Sequence, residues 1–89
     1  MSKIDRAQSP DKPFIAPGAQ LSGRISLNSG TSIWYNAVLR GDGPITVGEN
    51  SNIQDLTMVH CDPDKSLHIG DYVTIGHQAI IHNLQIGNN

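Results

Sequence analysis

Residues 15–39 read IAPGAQ-LSGRIS-LNSGTS-IWYNAV-L, with an aliphatic side chain at every sixth position: Ile15, Leu21, Leu27, Ile33 and Leu39. Two extra residues within Gly41-Asp42-Gly43-Pro44 interrupt the count, which resumes at Val47, Ile53 and Val59. Four more, through Asp62-Pro63-Asp64-Lys65, precede Ile69, Ile75 and Ile81, and Ile86 arrives one residue early. Two positions before each aliphatic the residue is usually small, as at Ala19, Thr31, Ala37, Ser51, Thr57 and Ala79, with Ile25 a larger exception. A helix needs a period of about 3.6, and no i, i+3, i+4, i+7 stripe outlasts one repeat. Residues two apart share one face of a strand. Each hexad therefore reads as a short strand with a small and a large inward residue, followed by a corner rich in Gly and Asn. Short strands joined by corners at fixed spacing predict a coiled β-solenoid, each turn bonded to the next. A small antiparallel sandwich also alternates, but it does not sustain a sixfold register from Ile15 to Ile86.

Composition supports order along the chain over bulk. With 89 residues, 37% of them hydrophobic, and one Trp, two Tyr and one Phe, the chain cannot build a large core. A net charge of −2 excludes a strongly basic nucleic-acid binder. No apolar run approaches the roughly 18 residues of a membrane span. Met1 to Pro13 lacks a signal-peptide stretch and reads as an N-terminal arm, residues 1–13, ahead of a coil over residues 14–89. The single cysteine, Cys61, cannot form an internal disulfide, which points to a reducing, cytoplasmic location.

Three hexads per turn put every third hexad on the same face. Leu39, Val59 and Ile81 then form one column, and the outward residues that follow them are Arg40, His60 and His82. Ile53 and Ile75 form a second column, with Asp55 and His77 stacked at its corner and Gln54 beside Asp55. Rungs lie about 4.8 Å apart. Zinc–imidazole bonds of about 2.0–2.1 Å need donor nitrogens only slightly closer than that, so His60 and His82 can share a metal. His77 projects at another corner, and the simplest arrangement brings it from an adjacent subunit. Such a head-to-tail contact, closed into a ring, suggests a trimer or a multiple of three.

Several stretches resemble the γ-class carbonic anhydrase family of hexapeptide-repeat proteins. They are Ser32-Ile33-Trp34, Val38-Leu39-Arg40-Gly41-Asp42, Pro44-Ile45, Asn52-Ile53-Gln54-Asp55, Val59-His60, and Thr74-Ile75-Gly76-His77 through Ile81-His82. The resemblance covers about residues 13–89. It implies an all-β, left-handed parallel β-helix, here of about four turns, in which His60 and His82 from one subunit and His77 from the next hold a metal. It also implies that Arg40 and Asp55 pair across the subunit interface, that Asp42 supports that interface, and that Gln54 hydrogen-bonds near the reacting water. Zinc is the expected metal, with iron or cobalt as options, and reversible hydration of carbon dioxide to bicarbonate is the expected reaction.

Two features depart from the family. Its chains are usually about twice as long and carry a C-terminal helix, so this sequence reads as the N-terminal half, without a capping helix and with its last turn uncovered. The acidic residues that shuttle protons in active members also lack a match: Gly43 follows Asp42, and Cys61 follows His60. Asp62, Asp64 and His68 read as a solvated, Pro-containing turn, Cys61 as an uninvolved thiol, and Trp34 as an interface or inter-turn packing residue. Two alternatives stand beside the enzyme: a metal-binding scaffold or assembly subunit without turnover, and a hexapeptide-repeat acyltransferase using one His as base.

Overall fold

A computed structural model of the chain describes residues 12–83 and 85–88. Most of the expected arm, residues 1–13, therefore lies outside the described residues. Ten strands follow in order: β1 Phe14–Ile15, β2 Gln20–Leu27, β3 Ser32–Ile33, β4 Val38–Val47, β5 Asn52–Ile53, β6 Met58–Cys61, β7 Leu67–Ile69, β8 Thr74–Ile75, β9 Ile80–His82 and β10 Gln85–Ile86. Every pairing between them is parallel. The three aliphatic columns are those the count predicts. Ile15, Ile33, Ile53 and Ile75 pair in turn. Leu21, Leu39, Val59 and Ile81 form the second column, and Leu27, Val47, Ile69 and Ile86 the third. The result is a β-solenoid of about four turns, the architecture the hexapeptide resemblance implies. Among the described residues there is no helix long and apolar enough to cross a membrane.

Turn lengths grow as the chain rises: Ile15 to Ile33 spans 18 residues, Ile33 to Ile53 spans 20, and Ile53 to Ile75 spans 22. The added residues leave the columns in register because they are absorbed at one corner. Gly23 pairs with Gly41 but Ile25 with Ile45, so the first insertion projects there. The second follows at the same corner, between the Gly41–Cys61 and Ile45–Leu67 pairs.

Inside the coil, Ile33, Leu39, Val47, Ile53, Val59 and Ile69 have no solvent exposure. The small inward positions include hydroxyls for a reason: buried corner carbonyls need donors. Thr31 Oγ1 donates to the Asn28 carbonyl at 2.6 Å, Ser51 Oγ to the Gly70 carbonyl, and Thr57 Oγ1 to the Gly76 carbonyl at 2.7 Å. At the two ends the column residues Ile15, Leu21, Leu27, Ile81 and Ile86 are only partly buried, since each has a rung on one side.

After the first and third columns the corner turns through a left-handed residue three positions past the aliphatic. Gly18 and Gly30 take φ of 84° and 75°, and Asn36 and Asn50 take 59° and 58°. The glycines also make room, because a Cβ on Gly18 would lie 2.1 Å from the Asn36 Oδ1 of the next rung. Leu56, Tyr72 and Gln78 hold the same conformation at φ of 63°, 58° and 59°, although none is a Gly or Asn. Each donates its N–H to a carbonyl of the rung below, Leu56 to Tyr35, Tyr72 to Glu49 and Gln78 to Asp55, and this pairing holds the corner in the strained conformation.

Two substitutions separate core packing from corner strain. Leu39→Ala, at a fully buried column site, is expected to lower unfolding free energy by about 2–5 kcal/mol. Leu56→Gly, at an exposed left-handed site, is expected to leave stability unchanged or raise it by up to about 1 kcal/mol. Urea unfolding checks both, and a loss at Leu56 as large as that at Leu39 would contradict the strain argument.

Candidate metal centre

Strands β4, β6 and β9 lie side by side, which aligns Arg40 with His60 and His60 with His82 on consecutive rungs. The two imidazoles stack with ring centroids 4.9 Å apart and planes 5° from parallel. That spacing is the rung spacing itself, so backbone pairing sets it and no side-chain contortion is needed.

A carboxylate follows two residues after Arg40 and two after His60, and each reaches the imidazole one rung up. Asp42 Oδ2 lies 3.1 Å from His60 Nε2 and 3.1 Å from Arg40 Nη2. Asp62 Oδ1 lies 3.1 Å from His82 Nε2 and 3.9 Å from His60 Nε2. The column thus reads Arg40, Asp42, His60, Asp62, His82, with cationic or imidazole groups alternating with acids. Arg24, on β2 where the register shifts, donates from Nη2 to the Asp42 carbonyl at 2.9 Å and ties down the first insertion. Asn83 grips Asp62 twice, its Oδ1 accepting from the Asp62 N–H and its Nδ2 donating to Asp62 Oδ2, each at 2.8 Å.

Both acids are held below the usual aspartate range. For Asp42 the hydrogen bond from His60 is the main cause, with partial burial opposing it and the Arg40 charge adding to it. For Asp62 the hydrogen bond from Asn83 leads, followed by the one from His82. Cys61 points the other way, into the core, with no solvent exposure. Burial and the nearby Asp62 charge push its thiol up, which keeps it protonated and out of the donor set.

Asp62 is the residue that the sequence reading missed. It was expected in a solvated turn, with no acid beside His60; instead its carboxylate faces both imidazoles. The available signal was the parallel between Arg40-Gly41-Asp42 and His60-Cys61-Asp62 one rung apart. Gly43 shows why the acid stands there. A Cβ on Gly43 would fall 2.1 Å from the Asp62 carbonyl oxygen and 2.4 Å from that of Lys65, so the second insertion rests directly on it. A side chain at 43 is excluded by the loop that delivers Asp62.

The remaining candidates lie elsewhere in the chain. His77 is exposed at the corner after β8, one rung above Asp55, whose carbonyl accepts from the Gln78 N–H at 3.0 Å. Gln54 sits on the same corner and donates from Nε2 to Asn52 Oδ1. Within one chain, among the described residues, Arg40 pairs with Asp42 and makes no ion pair with Asp55. Asp42, expected at a subunit interface, makes this contact within one chain. His68 is exposed on β7, flanked by Thr46 and Gln85 on neighbouring strands, and not in the turn. Trp34 packs its ring against Phe14 at 4.9 Å and donates to Ser32 Oγ at 3.0 Å, the inter-turn option for that residue.

His60, Asp62 and His82 form a group whose ligand atoms all lie within 4.8 Å of one another. Two imidazole nitrogens and a carboxylate oxygen are donors that suit zinc and other first-row divalent ions. The residues present therefore fit a metal.

No family model matches the chain. Individual proteins do. A probable carbonic anhydrase of Methanocaldococcus jannaschii is 49% identical over 76 residues, covering 84% of this chain and 48% of that protein. The mitochondrial gamma carbonic anhydrase 3 of Arabidopsis thaliana is 43% identical over 94 aligned positions, covering 97% of this chain and 36% of that protein. Among solved structures, a hexapeptide transferase family protein from Anaplasma phagocytophilum matches with a TM-score of 0.65 and 40% identity, over 82% of this chain and 46% of that one. The chain thus spans between a third and a half of the length of these curated relatives.

The depressed acids make a prediction for protein kept free of metal with EDTA. Because their folded pKa values lie below the ordinary aspartate value of about 3.9, their contribution to stability is fully present above that value. It is lost as pH falls through the lowered folded values. Urea midpoints measured down the acid limb should fall less steeply in Asp42→Asn and Asp62→Asn than in the parent. An unchanged slope in the double variant would contradict the assignment.

Proposed function

We propose that the chain, similar over most of its length to carbonic anhydrases and to a hexapeptide transferase family protein, is a γ-carbonic anhydrase-like protein that holds a divalent metal, zinc by preference, and hydrates carbon dioxide reversibly. The observation that carries this reading is the stacked pair His60 and His82 at 4.9 Å, with both Nε2 atoms turned to flanking carboxylates. His60 and His82 of one subunit and His77 of a neighbour would hold the metal in a homotrimer. A metal so held supplies Lewis-acid chemistry, making water acidic enough to yield a nucleophile near neutral pH.

The chain's own residues do the rest. Neutral imidazoles leave the centre positively charged, which favours an anionic product such as bicarbonate, and the Arg40 guanidinium beside the pair adds to that field. Asp42 Oδ2, ionised at neutral pH, is a proton acceptor beside His60 Nε2. Gln54, steadied by Asn52, is the polar group that orients the reacting water. Asp55 and Arg40 draw subunits together as an interface pair, in a protein that works in the cytoplasm.

A second reading has one observation in its favour, the hexapeptide transferase neighbour. Acyl transfer needs a single general base. It leaves the paired rings and their two carboxylates without a role. A metal-binding scaffold without turnover keeps the site and drops the chemistry.

Stopped-flow hydration of carbon dioxide by the zinc-loaded and iron-loaded protein tests the proposal. Turnover above buffer is expected, and His60→Ala should lower it by more than about 100-fold, beyond what loss of a supporting partner alone causes. One metal per subunit with no turnover would favour the scaffold; neither metal nor turnover would overturn the metal reading altogether.

A further inference from the structure

His77 would reach the centre from a neighbouring subunit, yet one chain already brings three donors together. We propose that Asp62 is a metal ligand of the single subunit, completing a two-histidine, one-carboxylate site with His60 and His82, so that each chain binds a divalent cation before a neighbour supplies His77. The inference rests on the metal reading above and is independent of any turnover.

Distances support it. Donors bonded to one ion at about 2.0–2.2 Å lie about 3 Å apart, or slightly more, along the edge of the coordination polyhedron. Asp62 Oδ1 is 3.1 Å from His82 Nε2 and 3.9 Å from His60 Nε2, and the three ligand atoms fall within 4.8 Å of one another. A hydrogen-bonded Nε2–H and carboxylate at 3.1 Å already have the spacing of such an edge. A cation entering between them replaces the proton, which the neutral imidazole carries on Nδ1 instead.

Asp62 is also held as ligating carboxylates are held. Asn83 fixes it through the main-chain N–H and through Oδ2, leaving Oδ1 free to face the imidazoles. Oriented partners of this kind raise metal affinity by lowering the cost of ordering the ligand. Asp42 is the weaker candidate. Its Oδ2 shares the Arg40 guanidinium at 3.1 Å, a cation that competes with any ion, and it lies outside the close group of three.

Charge separates the two donor sets. Two neutral imidazoles and one carboxylate leave a divalent ion with a net charge of about +1, whereas three imidazoles leave it at about +2. The set with Asp62 therefore makes bound water less acidic than the three-imidazole set does. Loading precedes assembly, and the neighbour's His77 then displaces or joins Asp62.

Cobalt(II) is the probe, titrated into the full chain with visible absorption and calorimetry as readouts. His77→Ala should still bind one cobalt per chain, within about tenfold of the parent affinity. Adding Asp62→Asn in that background should weaken binding by about 100-fold or more, while Asn83→Ala, which loosens the carboxylate without removing it, should cost about 10–100-fold. Thermal melts in EDTA check that each variant folds. Loss of all cobalt binding in His77→Ala, or a folded His77→Ala/Asp62→Asn variant that binds as tightly as His77→Ala alone, would overturn the role of Asp62. A parent protein that binds no cobalt, or that binds it equally well as His60→Ala, would overturn the metal reading itself, which is a distinguishable result.

Discussion

Parallel pairing of each rung on the one below governs both the fold and the centre. It converts a sequence separation of 18, 20 or 22 residues into contact between neighbouring strands. Because the pairing is in register, whatever occupies an outward position stacks on its equivalent one turn away. Inward aliphatics stack by the same register into core columns, and the outward imidazoles of His60 and His82 stack into a candidate metal centre. The rings of His60 and His82 are close because their inward-facing neighbours Val59 and Ile81 are paired. Local conformational preference yields to the same constraint at Leu56, Tyr72 and Gln78, which accept left-handed backbone so that the corners stay aligned.

Insertions convert a structural repeat into a site. A strict hexapeptide coil presents one outward residue per rung at this position. The extra residues after Arg40 and after His60 leave the columns intact and swing Asp42 and Asp62 to the imidazole of the next rung. They also stack on one another, with Gly43 beneath the carbonyls of Asp62 and Lys65. The lower insertion therefore supports the upper, and both are tied to the coil, one through Arg24 and the other through Asn83.

Much of this was legible in the sequence, because a period is a long-range constraint that counting recovers. All three columns, both interruptions and the alignment of Arg40, His60 and His82 follow from the positions of the aliphatics. The carboxylate at Asp62 was not recovered, since a four-residue insertion breaks the count where the residue stands, and a Pro-containing acidic loop resembles any solvated turn. The left-handed corners at Leu56, Tyr72 and Gln78 were hidden for a different reason: their strain comes from adjacent rungs and leaves no mark on the residue type. The count also assigns His77 to the corner one rung above Asp55, where it stands.

Crystals grown with zinc and measured at the zinc absorption edge test the central claim most directly. An anomalous peak is expected within about 2.1 Å of Nε2 on both His60 and His82, the two rings belonging to one chain on consecutive rungs. Zinc held away from this pair, or imidazoles on separate faces of the coil, would contradict it.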